Sequence, residues 1–335
     1  MNLPQRISLL ARLGEYLLAN GPDWQAAKQR AEQQNAWFTG EFIDVAVSHI
    51  ARHWLTRPVL EQWALAEQVP DQPAHPKTVG LVMAGNIPMV GFHDWLSVFI
   101  SGHKALVKLS SKDAVLLPHL FDQLVRWEPS LHPYVQTAER LNGADAYIAT
   151  GSNNSSRYFS YYFGKYPHII RKNRTAVALL SGHESTTELE ALADDVHLYF
   201  GMGCRNVSKL YVPVGYDFIP LLEAFKKYAA LSEHHKYKNN YDYQLALLIL
   251  NKNFYMTNGT LLLTEQQSLF APLGQVHYEY YQQHSEALAT ARAHPDLQCL
   301  VGTGGIAFGS SQLPAIGDYA DGVNTLDFLN KKMLN

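Results

Sequence analysis

From residue 78 onward the chain alternates short apolar runs with longer amphipathic stretches, and that alternation restricts its fold more than any other feature. Thr78 to Ala84, Ala105 to Leu109, Ala146 to Thr150, Ala176 to Leu180 and Lys209 to Val214 are each too short for a helix. Each stops at a Gly-, Ser- or Asn-containing turn and is followed by apolar positions at helical spacing. Strands buried on both faces and joined through helices pair in parallel. The expected class is therefore α/β, with strand-to-helix turns gathered at the carboxyl ends of the strands. Open parallel sheets take nucleotides there, because helix N-termini converge on the same edge.

Ahead of this region, Ile7, Leu10, Leu13 and Leu17, then Phe42, Ala46, Ile50 and Trp54, repeat at helical spacing and predict a helical N-terminal layer. The proline-rich link at 69–76 ends it. We read the layer over 1–75, a nucleotide-binding domain over 76–182, a cysteine-bearing domain over 183–303 and a return segment over 304–335. Residues 126–144 read as connecting chain, and 233–238, which holds His234 and His235, as a polar loop. Adjacent histidines without a third ligand at usual spacing make a poor metal site. A net charge of −3 with no basic face argues against a nucleic-acid partner, and no apolar run is long enough for membrane insertion. The two cysteines exclude a disulfide framework, and the N-terminus lacks the pattern of a signal peptide, so a cytoplasmic location is expected.

The candidate nucleophile is Cys204, within Gly201-Met202-Gly203-Cys204-Arg205-Asn206. Glycine before it and polar residues after it suit a tight turn that exposes a thiol to positive potential. The same flanks also fit an inert core cysteine. No GxGxxG or GxxxxGK[ST] occurs, so a dinucleotide would not be held by the usual glycine-rich loops.

Four stretches in order resemble the aldehyde dehydrogenase superfamily: Met83-Ala84-Gly85-Asn86-Ile87-Pro88, Val107-Lys108-Leu109-Ser110-Ser111, Ala149-Thr150-Gly151-Ser152 and Gly201-Met202-Gly203-Cys204. Within it the chain is most similar to the acyl-CoA reductase family, which includes the fatty-acyl reductase subunit of bacterial luminescence. Leu269-Phe270-Ala271-Pro272 resembles a stretch that lies near the nicotinamide, and Asp318 to Leu329 a return segment. The resemblance implies an aldehyde-dehydrogenase-like fold with two Rossmann-like parallel-sheet domains. It makes Cys204 the nucleophile and Asn86 an oxyanion donor, and assigns Lys108, Ser110, Ser111, Thr150, Gly151, Ser152, Gly182 and Phe270 to the cofactor. It also implies a homo-oligomer.

Two departures from that pattern direct the functional expectation. Hydrolytic members carry a glutamate in the strand before the cysteine helix; here that strand reads Ala178-Leu179-Leu180-Ser181-Gly182, with Leu179 in the glutamate's place. Without a base, water attack on a thioester slows by about 10²- to 10⁴-fold. Ser111, followed by Lys112, stands where many relatives have a glutamate for the ribose of NAD, which favours NADPH and leaves NADH open. The expected reaction is NADPH-dependent reduction of an acyl thioester, carried by CoA or an acyl carrier protein, to an aldehyde. The alternatives are a CoA-independent aldehyde dehydrogenase, an acyl-phosphate reductase and a silent structural partner of another subunit. Aromatic residues at 158–166 and 275–281 are candidates for an acyl tunnel.

Overall fold

A computed structural model of the chain describes residues 1–332. They divide into two units: Met1–Asn173 with the segment from Ala315 onward, and Arg174–Pro314.

The first unit opens with helices α1 (Leu3–Ala19), α2 (Pro22–Gln34), α3 (Gly40–His49) and α4 (Arg57–Ala66). Asn2 starts α1 with a capping box, its side chain accepting from Gln5 N and the Gln5 side chain from Asn2 N. The chain continues through β1 (Thr78–Val82), α5 (Phe92–Ile100), β2 (Lys104–Lys108), α6 (Leu116–Trp127), β3 (Val135–Thr137), β4 (Ala146–Thr150), α7 (Asn153–Phe163) and β5 (His168–Arg171). The five strands form one parallel sheet in the order β3-β2-β1-β4-β5. Connections leave β1 in opposite directions, so β1 and β4 flank a topological switch point.

The helical layer is continuous with this unit. Leu10, Trp24, Trp95 and Val107 share one core. Arg6, 1% exposed, donates to Ile100 O at 2.9 Å, Met1 O at 2.7 Å and Pro70 O at 3.1 Å, tying α1 to the end of α5 and to the proline-rich link. A second buried guanidinium, Arg171 at the end of β5, meets Asp94 of α5 at 2.8 Å and the Thr325 hydroxyl at 2.8 Å. It thereby secures the return segment.

The second unit contains β6 (Thr175–Leu179), α8 (Thr186–His197), β7 (Val207–Pro213), α9 (Ile219–Ala224), α10 (His235–Leu250), β8 (Met256–Thr257), β9 (Leu262–Glu265), β10 (Gln275–Tyr281), α11 (His284–Ala293) and β11 (Leu297–Gly302). Its sheet runs β11-β6-β7-β10-β9-β8, parallel except for β8.

Three expectations change. The first unit ends at Asn173, because β6 pairs with β7 and β11. The return segment divides at Pro314. Residues 233–238 are largely helical: His234 caps α10, its Nδ1 accepting from Tyr237 N at 3.3 Å. Among the described residues no group of His, Cys, Asp or Glu could hold a metal ion, and no helix is long and apolar enough to cross a membrane.

Replacing Arg171 with alanine strands the Asp94 carboxylate in the core and should cost about 3–5 kcal/mol in urea unfolding; an unchanged midpoint and slope would show that Arg171 is dispensable.

Candidate active site

Helix α8 ends at His197, and the chain then reverses through three consecutive left-handed residues, Tyr199, Phe200 and Gly201, with φ of 55°, 58° and 74°. For residues with a Cβ this conformation costs on the order of 1 kcal/mol each. Burial of the two aromatic side chains offsets it, the Phe200 ring lying 4.5 Å from that of His234 and 5.8 Å from that of Tyr237.

The reversal delivers Gly203-Cys204-Arg205-Asn206 as a tight turn in which Asn206 N donates to Gly203 O at 3.1 Å. The Asn206 side chain, 2% exposed, locks it. Its Oδ1 accepts from Gly203 N at 2.7 Å, and its Nδ2 donates to Asp195 O at 3.0 Å, Leu198 O at 2.9 Å and Val196 O at 3.3 Å. These carbonyls belong to the α8 terminus, where helical partners run out. One carboxamide thus caps the helix and closes the turn. Cys204 sits half-buried at its corner.

Asp195 adds a second tie: its carboxylate accepts from Gly309 N at 2.7 Å and Ser311 N at 2.8 Å. Burial pushes its pKa up, opposed by those bonds. The other cysteine, Cys299 on β11, has its thiol pushed up to about 12 by burial, with Arg205 pulling the other way. Near neutral pH it is a protonated thiol, which leaves Cys204 as the nucleophile candidate of this unit.

In the first unit, Asn86, Lys108, Ser110, Ser111, Thr150, Gly151 and Ser152 gather at the carboxyl ends of β1, β2 and β4. The β1 and β2 loops interlock. A Cβ on Gly85 would lie 2.5 Å from Ser110 Oγ, so only glycine fits. Asp113, 3% exposed, accepts from Met89 N at 3.0 Å through Oδ2 and holds Met89 at a φ of 61°, three residues beyond Asn86. Ser152 caps α7 by accepting from Ser155 N at 3.2 Å, which leaves the first-turn amides of α7 as anion donors at the strand ends. Lys108, with Arg140 and Glu139, lines an open cleft of about 590 Å³ beside β2. The glycine at 151 has a packing reason as well, since a Cβ there would meet the Phe159 ring at 2.8 Å. Ser110 packs on Gly85 and accepts from Lys112 N at 3.2 Å.

Gly182 departs from expectation. It follows β6 at the carboxyl end of the second sheet, whereas the Cys204 turn precedes β7 at the amino end. Its φ of 88° and its approach to Pro213 serve the local turn. That turn is also held by Glu184, which accepts from Ser181 N at 2.5 Å and Gly182 N at 3.2 Å. Leu179 is buried in the core beneath α11. Of the tunnel aromatics, Tyr158, Tyr161 and Tyr162 are 67%, 82% and 62% exposed, Phe163 stacks on Tyr147 at 4.2 Å, and Tyr278 belongs to the core of the second unit. Phe270 lies in the second unit, half-exposed, beyond β9.

Two outcomes follow from this geometry. Asn206→Ala leaves Gly203 N and the α8 carbonyls unsatisfied and should lower stability by about 3 kcal/mol in urea; a loss under about 1 kcal/mol would mean that the turn holds without its amide. Burial raises the Asp113 carboxyl to about 6, opposed by the N–H groups of Met89 and Leu116. The unfolded chain releases that proton near 3.9, so the native state holds the extra proton between these values. Stability therefore falls as pH rises from about 4 to about 6, by about 2–3 kcal/mol in all, the contribution of this one carboxyl being fully lost above the folded value. Asp113→Asn should flatten that part of the stability curve; parallel curves for the variant and wild type would contradict the assignment.

No sequence-family description and no curated protein matches the chain. Solved structures do. An aldehyde dehydrogenase from Mycobacterium tuberculosis complexed with NAD+ superposes with a TM-score of 0.66 at 14% identity, covering 90% of this chain and 73% of that one. Aldehyde dehydrogenase 21 from Physcomitrella patens, in complex with the reaction product succinate, gives 0.65 at 11% identity over 97% and 79%. An NADP-dependent enzyme from E. coli gives 0.63 at 12% identity over 90% and 73%. With its two parallel sheets, the chain has the aldehyde-dehydrogenase fold.

Proposed function

We propose that this chain reduces acyl thioesters to aldehydes through a thioester on Cys204, with NADPH as the preferred cofactor. The observation that carries this reading is the lack of a carboxylate in either strand between α7 and α8. β5 reads His168-Ile169-Ile170-Arg171 and β6 Thr175-Ala176-Val177-Ala178-Leu179. Glu184 is committed to capping the turn at the far end of β6, and the buried Asp195 carboxylate beside the Cys204 turn to the N–H groups of Gly309 and Ser311. A thiol held at a turn corner, with no base to activate water, suits transfer of an acyl group between sulfur atoms better than hydrolysis.

In this reading the Cys204 thiolate attacks the carbonyl carbon of the acyl thioester, and Asn86 carries the oxyanion-donor role that the sequence resemblance implies. Collapse expels the carrier thiolate and leaves the acyl group on Cys204. One such donor is typically worth about 3 kcal/mol of barrier. Lys108 and the α7 amides would hold the cofactor's ribose and phosphates, and exposed Ser111 and Lys112 would accommodate a 2′-phosphate where a carboxylate would repel it. Bound there, the reduced cofactor supplies the hydride that converts the acyl group to an aldehyde. The resemblance in the sequence motifs, one neighbour's complex with NAD+ and another's NADP dependence support this reading.

Intact mass after incubation with a long-chain acyl-CoA and no cofactor should rise by one acyl group in wild type and not in Cys204→Ala, and added NADPH should discharge it. No adduct across a range of chain lengths, with free aldehyde still consuming NAD(P)+, would instead indicate an oxidising aldehyde dehydrogenase.

A further inference from the structure

The second unit carries a buried polar row with no place in the chemistry above. Lys209 on β7 and His277 on β10 are register partners, and Thr264 on β9 continues the row. Lys209 is 1% exposed and His277 6%. Burying an ammonium in a sheet costs several kcal/mol unless it is fully paired, so an apolar residue would serve packing better.

The partners show what the row holds. Lys209 Nζ donates to Gln267 O at 2.7 Å and pairs with Glu279 at 2.5 Å. His277 Nδ1 lies 2.9 Å from Ser268 O, and since a carbonyl only accepts, that nitrogen carries the proton. Ser208 Oγ donates to Leu269 O at 2.7 Å. Three successive carbonyls, of residues 267, 268 and 269, are thus each gripped by a different side chain of the sheet, immediately before Phe270.

The grip reaches the cysteine turn. Ser208 Oγ lies 2.6 Å from Thr175 Oγ1, and the Thr175 hydroxyl in turn donates to Asn206 O at 3.1 Å. Ala176, the next residue, donates its N–H to Asn206 O at 3.1 Å. The chain leading to Phe270 is therefore held by β7 and β10 and the Cys204 turn by β6, and the Thr175–Ser208 contact joins the two within a few bonds.

We propose that Ser208, Lys209 and His277 are positioning residues that clasp the backbone of 267–269 and so set Phe270 in register with the Cys204 turn for the nicotinamide end of the cofactor. The proposal rests on the reductase reading for the cofactor's part in it, while the clasp itself is independent of that reading. A segment beyond a strand would otherwise be held only by its own turn, and one ammonium, one imidazole and one hydroxyl bond to three consecutive carbonyls remove that freedom.

The test compares wild type with Lys209→Met, which keeps the length and removes the ammonium, and with Ser208→Ala, which removes one bond without changing charge. Hydrogen exchange is read first, on the unliganded chain. Amides of 266–271 should exchange about tenfold faster in each variant while β7 and β10 stay protected. Acylation of Cys204 by acyl-CoA without cofactor should stay within about twofold of wild type, whereas the KM for NADPH should rise about tenfold or more. Ser208→Thr, which retains the hydroxyl, should restore both. Unchanged exchange at 266–271, or exchange rising equally through the whole sheet, would overturn the clasp. Local exchange that rises with no change in cofactor KM would overturn its positioning role. If wild type itself is not acylated, the reductase reading fails, and the exchange result still decides whether the clasp exists.

Discussion

A thiolate placed after a helix C-terminus meets an electrostatic obstacle, because the last carbonyls of the helix present a partial negative charge of about half an electron. Cys204 follows α8 in that way, and the carboxamide of Asn206 resolves the conflict. Its two protons are directed at the carbonyls of Asp195, Val196 and Leu198, while its oxygen takes the Gly203 N–H. The same contacts that satisfy the helix end also define the turn. The left-handed run from Tyr199 to Gly201 is tolerable only because that end is fixed and the Tyr199 and Phe200 rings are buried. Asp195, whose backbone oxygen is one of the amide's acceptors, uses its carboxylate to hold Gly309 and Ser311, so the chain around the cysteine is braced from two sides.

The two units use their parallel sheets in opposite senses. In the first, candidate residues collect at the carboxyl ends of β1, β2 and β4, where helix N-termini supply amide donors and glycine at 85 lets neighbouring loops close on one another. In the second, the candidate nucleophile precedes a strand and sits at the amino end. The candidate anion-binding residues and the candidate thiol thus lie at opposite ends of their respective sheets.

Much of this was legible in the sequence because its signals are local. The alternation of apolar runs gave the α/β class, and Gly203, Arg205 and Asn206 around Cys204 marked a turn. The lack of a carboxylate held in both β5 and β6. What escaped detection depends on partners distant in sequence or on very short elements. β3 and β5 are short edge strands whose runs are scarcely longer than a turn. Asn173 closes the first unit because β6 pairs with β11, a contact between residues more than a hundred positions apart. Gly182 carries a glycine signal that belongs to a turn at the opposite end of the sheet from the cysteine. Lys209 reads as the first residue of a strand, and nothing near it in sequence announces that its ammonium is buried against Gln267 O and Glu279. The capping of α10 by His234 was hidden by a polar first turn that resembles a loop.

The most direct measurement is the lifetime of acyl-Cys204 once formed, followed by mass in buffer that contains neither cofactor nor an acceptor thiol. If no base activates water at this site, the adduct persists and free CoA regenerates acyl-CoA from it. Prompt release of the free carboxylic acid, at a rate comparable with acylation, would show that the fold supplies a base after all and that the chain is a hydrolytic, oxidising enzyme.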